Sequence, residues 1–336
     1  MNTASFVLRV LCDQILNKNV LHDASEMSAA DWFSCRDYAL GIHALPIFFQ
    51  GLSKVPSTYE QEVEETLKRE RMLLAMLDEE MFQAAHALNS NGIEFMVVKG
   101  MELGRRIYAR RSLRPMTDVD LLVSESEFEH AIDSLKTSGF QIAGLHTAKR
   151  FRVELSRSAE APVVELHRKL LASDSSEDTS RYWNNALDGN SWALPDNAKI
   201  LREDDCFSYL LRHGAVQHAI ESPIWLFDLH LIANSLEKNQ WTSIVSNLIK
   251  HKACAAAWLT LSLLRNELGT RVPENSLEML ARPLSSRRLK ALSHYSSFAS
   301  WFKPESRTWI QIARARYTLR DTHRDAFKYA IERALR

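Results

Sequence analysis

Apolar residues in the first quarter of the chain recur with a helical period, and the period changes at Ile93. Val63, Leu67, Leu74, Leu77, Met81 and Leu88 follow one another at steps of three, four and seven, with Glu62, Glu64, Glu65, Lys68, Arg69, Asp78 and Glu79 between them. That spacing puts the apolar side chains on one stripe and predicts a long amphipathic helix, stopped by Asn89, Asn91 and Gly92. Ile93-Glu94-Phe95-Met96-Val97-Val98 then reads as a short buried strand closed by Lys99-Gly100, and Val119 to Val123 as a second, after an arginine-rich helical connection. Ser124 and Glu127 have capping-box spacing, so a helix is expected to start there, facing the core through Phe128, Ala131, Ile132 and Leu135 and stopping at Gly139. Three more strands are expected at Phe140–Ala143, Phe151–Leu155 and Val163–His167, the last two as a hairpin turning at Ala161-Pro162. The polar run Ser173–Ser180 reads as a linker, and helical periodicity with little strand signal continues to Arg336. The expected organisation is an N-terminal helical region (1–90), a strand-bearing core (91–172) and a C-terminal helical domain (181–336).

Composition narrows this picture. A chain of 336 residues exceeds the usual size of a single core, and 46% hydrophobic with 25% charged residues is ordinary globular usage. The 42 basic and 42 acidic residues cancel, which removes any global field favouring nucleic acid or an anionic membrane. Cys12, Cys35, Cys206 and Cys254 lie far apart with no CxxC spacing, as free thiols of a reducing compartment would, and zinc is not implied. The N-terminal apolar stretch is broken by Arg9 and Asp13 and reads as a helix, not a signal peptide. No apolar run approaches the ~18 residues of a spanning helix. A cytoplasmic protein without membrane insertion is expected.

The chemistry concentrates at the second strand. Asp118 and Asp120 stand two apart on it and so share a face, where ionised carboxylates repel unless a cation intervenes. Hard oxygen ligands suit Mg2+ or Mn2+, and magnesium in turn brings phosphates. Glu165, an acid in an otherwise apolar strand, is the candidate third carboxylate, and His167 shares its face as a neighbour of the acids. The competing readings are a turn-forming Asp-x-Asp, a structural salt bridge from Glu165 to an arginine, and a structural His167. Lys99, Arg105, Arg106, Arg110, Arg111 and Arg114 surround this region. Lys99 and Arg114 adjoin strand ends, which selects them as phosphate contacts, and Gly100 would let backbone approach a phosphate.

Val97-Val98-Lys99-Gly100, Leu103, Tyr108, Arg114-Pro115-Met116-Thr117-Asp118-Val119-Asp120-Leu121-Leu122-Val123, Gly139-Phe140 and Val164-Glu165-Leu166-His167 together resemble the uncharacterised nucleotidyltransferase family of the DNA polymerase β-like superfamily. Leu211-Arg212-His213-Gly214 and Trp225-Leu226-Phe227-Asp228-Leu229 resemble its helical half. The resemblance implies an α+β fold with a polymerase β-like core, a mixed sheet flanked by helices, between N-terminal and C-terminal helical regions. It also implies two divalent ions on Asp118, Asp120 and Glu165, and nucleotidyl transfer from a nucleoside triphosphate to an unidentified acceptor, small molecule, protein or RNA. The superfamily's usual Gly-Ser before the acid pair stands here as Lys99-Gly100, which leaves open an alternative: a non-catalytic nucleotide- or ligand-binding accessory protein that retains the fold. The segment from Lys303 to Arg336 carries nine basic residues against four acids, with Trp309, Tyr317, Phe327 and Tyr329, and reads as an amphipathic helix with a basic face or as an RNA-binding surface.

Overall fold

A computed structural model describes residues 3–143, 151–189, 194–302, 315–322 and 325. The strands, in chain order, are β1 (His22–Asp23), β2 (Leu52–Lys54), β3 (Phe95–Val98), β4 (Asp118–Val123), β5 (Gln141–Ile142), β6 (Arg152–Ser156), β7 (Val163–His167), β8 (Leu187–Asp188) and β9 (Ala198–Ile200). Two compact units form: one from residues Gln61–Arg202, the other from Met1–Glu60 together with Glu203–Arg336.

The first unit is built on a mixed seven-stranded sheet in the order β5-β6-β7-β4-β3-β9-β8. β4 runs parallel to β7 and antiparallel to β3; β6 and β7 make the expected hairpin. Strand alternation sorts the two faces. Phe95, Val97, Val119, Leu121, Val123, Leu155, Val164 and Leu166 turn to a common core with Leu74, Leu77, Met81 and Leu88 of the helix Glu60–Ser90 and Leu135 of the helix Phe128–Thr137. Each such side chain taken fully out of water contributes roughly 1.5–3 kcal/mol. The residues between them, Asp118, Asp120, Glu165 and His167, are thereby committed to the opposite face.

The divisions expected near residues 90 and 172–181 do not coincide with the compact units, because the long helix packs on the sheet and residues 187–200 add two strands to it. Ser124 does accept a hydrogen bond from the Glu127 amide (3.3 Å), but the Glu127 carboxylate bonds His130 (3.1 Å) instead of reaching back, and the helix starts at Phe128. The polar run is no linker: Ser175 and Asp178 form a reciprocal capping box that starts the helix Ser176–Asn184. Part of the connection after Phe140, residues 144–150, lies outside the described residues.

Among its described residues the second unit is helical, as the periodicity predicts, apart from the parallel pair β1–β2. Its helix Cys254–Leu268 is buried on most of its circumference. The two ends of the chain meet here: the Tyr38 hydroxyl donates to the Phe302 carbonyl (2.8 Å) and the Ser222 hydroxyl to the Ile42 carbonyl (2.9 Å). Trp32 stacks between Phe49 and Tyr59, with ring centroids 5.7 and 5.1 Å away. None of the four cysteines forms a disulfide, and among the described residues no helix is long and apolar enough to cross a membrane.

Candidate functional site

The register of the sheet assembles the acids. Asp120 on β4 lies beside Glu165 on β7, and Val98, the residue before Lys99, pairs with Asp120 from the other side. Lys99 starts the helix Lys99–Arg106 and places its ammonium 2.5 Å from Asp120 Oδ1 and 3.6 Å from Glu165 Oε2. The imidazole of His167 reaches the same two oxygens through Nε2, at 2.9 and 3.3 Å. Both are carboxylate acceptors, so Nε2 carries the proton, and buried Nδ1 is left with no hydrogen-bond partner among the described residues. Arg152 of β6 bonds Glu165 Oε2 (2.7 Å) and Glu154 (3.1 Å).

These contacts treat the paired aspartates differently. Burial would raise the pKa of Asp120, but Lys99 and the His167 hydrogen bond more than offset it and hold the carboxyl well below its usual range. Lys99, whose burial would disfavour charge, is held above its ordinary value by Asp120 and Glu165. Asp118 makes no ion pair among the described residues. Burial first and the Asp120 charge second push it up to about 6, against the opposing pull of Lys99 and Arg114. A half-buried carboxylate without an ion pair on a face of acids is what a divalent cation relieves.

The family profile of an uncharacterised nucleotidyltransferase matches residues 39–269. The chain belongs to that family. No curated protein matches it.

In this nucleotidyltransferase-family chain, Asp118, Asp120, Glu165 and His167 share one face of the sheet with the Lys99 ammonium, which the sequence offered as a phosphate contact and which here pairs with the acids; the atoms within common reach of one ion are those of Asp120, Glu165 and His167, all within 4.8 Å of one another. Glu165 does make a salt bridge, to Lys99 and Arg152 and not to the arginine run. Arg114 is buried, lies close enough to stabilise the Asp118 anion, and donates to its neighbour Pro115's carbonyl (2.6 Å). Gly100 has a packing role: a Cβ there would stand 3.0 Å from Met116 Cβ and 3.4 Å from the Arg114 guanidinium. The rest of the run divides, Arg105 and Arg111 both pairing with Asp78 and Arg106 with Glu102.

Arg152 was missed by sequence reasoning, yet the hairpin could have found it: with the turn at Ala161-Pro162, Arg152, Glu154 and Glu165 alternate onto one face. In the helical unit, His230 bonds Thr270 (2.7 Å) and Asp228 is fully buried, as interior polar contacts should be, while His213, His218 and Trp225 form a ring cluster. Of the basic C-terminal segment, Arg316 pairs with Glu221 (3.1 Å) and Arg320 donates to the Val216 carbonyl (3.1 Å); Trp309, Arg314, Phe327 and Tyr329 lie outside the described residues.

Proposed function

We propose that the chain is a Mg2+- or Mn2+-dependent nucleotidyltransferase with a polymerase β-like core, transferring a nucleotidyl group from a nucleoside triphosphate to an acceptor and releasing pyrophosphate. The observation that carries this reading is the β4–β7 register, which gathers Asp118, Asp120 and Glu165 on one sheet face beside Lys99 and Arg114 in a member of a nucleotidyltransferase family. Hard carboxylate oxygens fit a divalent ion, and Asp118, which has no ion pair among the described residues, marks where its charge is wanted. Asp118 and Asp120 would hold it; when bound, such an ion neutralises phosphate charge and favours in-line displacement of pyrophosphate by the acceptor oxygen.

The chain's own groups have definable tasks. Lys99 and His167 keep Asp120 ionised and fix its orientation. Arg152 does the same for Glu165. Arg114, beside Asp118, is placed to contact a phosphate, where a guanidinium offers paired donors. A second reading, a nucleotide-binding accessory protein, is favoured by those same ion pairs, since Asp120 and Glu165 already have cationic partners.

Calorimetric titration of the four nucleoside triphosphates, with and without magnesium, tests the proposal on the native protein and on Asp118→Asn/Asp120→Asn. Magnesium-dependent binding of a triphosphate that disappears in the double variant supports it. Binding that ignores both magnesium and the substitutions transfers support to the accessory reading, and no binding by the folded native protein refutes the nucleotide site.

A further inference from the structure

Lys99 is, among the described residues of 61–202, the one non-glycine with a positive backbone φ, 56°. A side-chain-bearing residue is held in that conformation only where its surroundings over-determine it, and such positions gather at functional sites. From that backbone position its ammonium lies 2.5 Å from Asp120 Oδ1 and 3.6 Å from Glu165 Oε2. A glycine would suit the backbone better; what the lysine adds there is its charge.

The charges on this face can be counted from the contacts. Lys99 bridges Asp120 and Glu165, and Arg152 bridges Glu165 and Glu154. Arg114 lies near Asp118 without an ion pair to it, so the acid on this face that has no ion pair among the described residues is Asp118, and the second oxygen of Asp120 is left to neither Lys99 nor His167. The place between Asp120 and Glu165, where a two-metal centre would put another ion, already contains an ammonium. A dication and an ammonium on the same carboxylate oxygen of a buried site repel strongly.

We propose that the Lys99 ammonium is a built-in cation standing in for one of the two divalent ions of a paired-carboxylate transferase, so that the protein holds a single divalent ion, at Asp118 and Asp120. This deepens the nucleotidyl-transfer reading and rests on it. Lys99 is then a fixed part of the acid cluster, and triphosphate contacts fall to Arg114.

The test is the number of manganese ions bound per full-length chain, read from the free-Mn2+ paramagnetic resonance signal with manganese alone. One ion in the native protein, none in Asp118→Asn and two in Lys99→Gly is the expected set. Glycine is chosen because it accepts the positive φ; if that variant nevertheless fails to fold, one ion in the native protein and none in folded Asp118→Asn still support the proposal. Two ions or none in the native protein, or an unchanged count in folded Lys99→Gly, overturn it. Magnesium-dependent triphosphate binding, measured in parallel, separates the two failures: two ions with triphosphate bound sinks only the built-in cation, whereas no ion and no triphosphate sinks the nucleotidyl-transfer reading as well.

Discussion

At the scale of single residues, Asp118 and Asp120 differ by two positions in the chain and point the same way, yet their pKa values are pushed in opposite directions: burial and the Asp120 charge raise Asp118, whereas Lys99 and His167 bond Asp120 directly and lower it. Asp118, raised from 3.8 to about 6, holds its proton more tightly in the folded than in the unfolded chain. Between those values the native state binds more protons, so stability falls as pH rises from about 4 to about 6 and is level above. Asp120 is shifted down, so its contribution is present above about 4 and is lost as pH falls below that. The native protein should accordingly show a urea midpoint that declines across pH 4–6, and Asp118→Asn should remove that decline; an unchanged slope in the variant would show Asp118 to be ordinary. Saturating magnesium should flatten the same slope in the native protein, since a cation at Asp118 opposes the proton. A companion prediction concerns Lys99→Met, which strips Asp120 and Glu165 of their shared cation. Glu165 keeps Arg152, but leaving the buried Asp120 carboxylate without its cation costs about 3–5 kcal/mol, and denaturant titration should register a loss of that order.

At the scale of elements, the face opposite the acids supplies the stability. Leu121 lies between Asp120 and Leu122 in β4 and is fully buried in the common core. Leu121→Ala should cost about 2–5 kcal/mol by chemical denaturation, because the rigid sheet and the long helix cannot close over the cavity. Ser175→Ala, which removes the capping box of the helix Ser176–Asn184, should cost only ~1 kcal/mol. The contrast between these elements also explains what was legible in the sequence. β3, β4, β6 and β7 announced themselves through apolar or alternating runs of four to six residues, and the two-residue period then fixed which acids shared a face. β8 and β9 span two and three residues, too few for a period to be visible, and owe their strand geometry to the partners they find. Ser173–Ser180 looked like a linker because a helix cap and a loop draw on the same small polar residues; the Ser175–Asp178 spacing was the distinguishing mark. The ammonium of Lys99 between the acids had no sequence signature at all, since it depends on a backbone turn that a lysine rarely makes.

At the scale of the molecule, the helical unit is assembled from both ends of the chain, and linear reading from one boundary to the next does not disclose this. Residues Met1–Glu60 join Glu203–Arg336, tied by hydrogen bonds from Tyr38 to the Phe302 carbonyl and from Ser222 to the Ile42 carbonyl. Their apolar faces are buried too: Val7, Leu11, Trp32, Ile47 and Phe48 are almost wholly withdrawn from solvent. A chain lacking residues 1–60 would remove a segment burying several large side chains, each worth roughly 1.5–3 kcal/mol, against a typical total stability of about 5–15 kcal/mol for a domain. The helices of 203–302 should then lose protection from amide hydrogen exchange even though their own sequence is intact, while the amides of β3, β4 and β7, which belong to the sheet unit, should keep theirs. Hydrogen exchange read peptide by peptide on the truncated and full-length proteins distinguishes the outcomes. Equal protection of 203–302 in both would mean that the N-terminal helices merely decorate an independent domain; loss throughout the chain, β4 included, would mean that the two units fold as one.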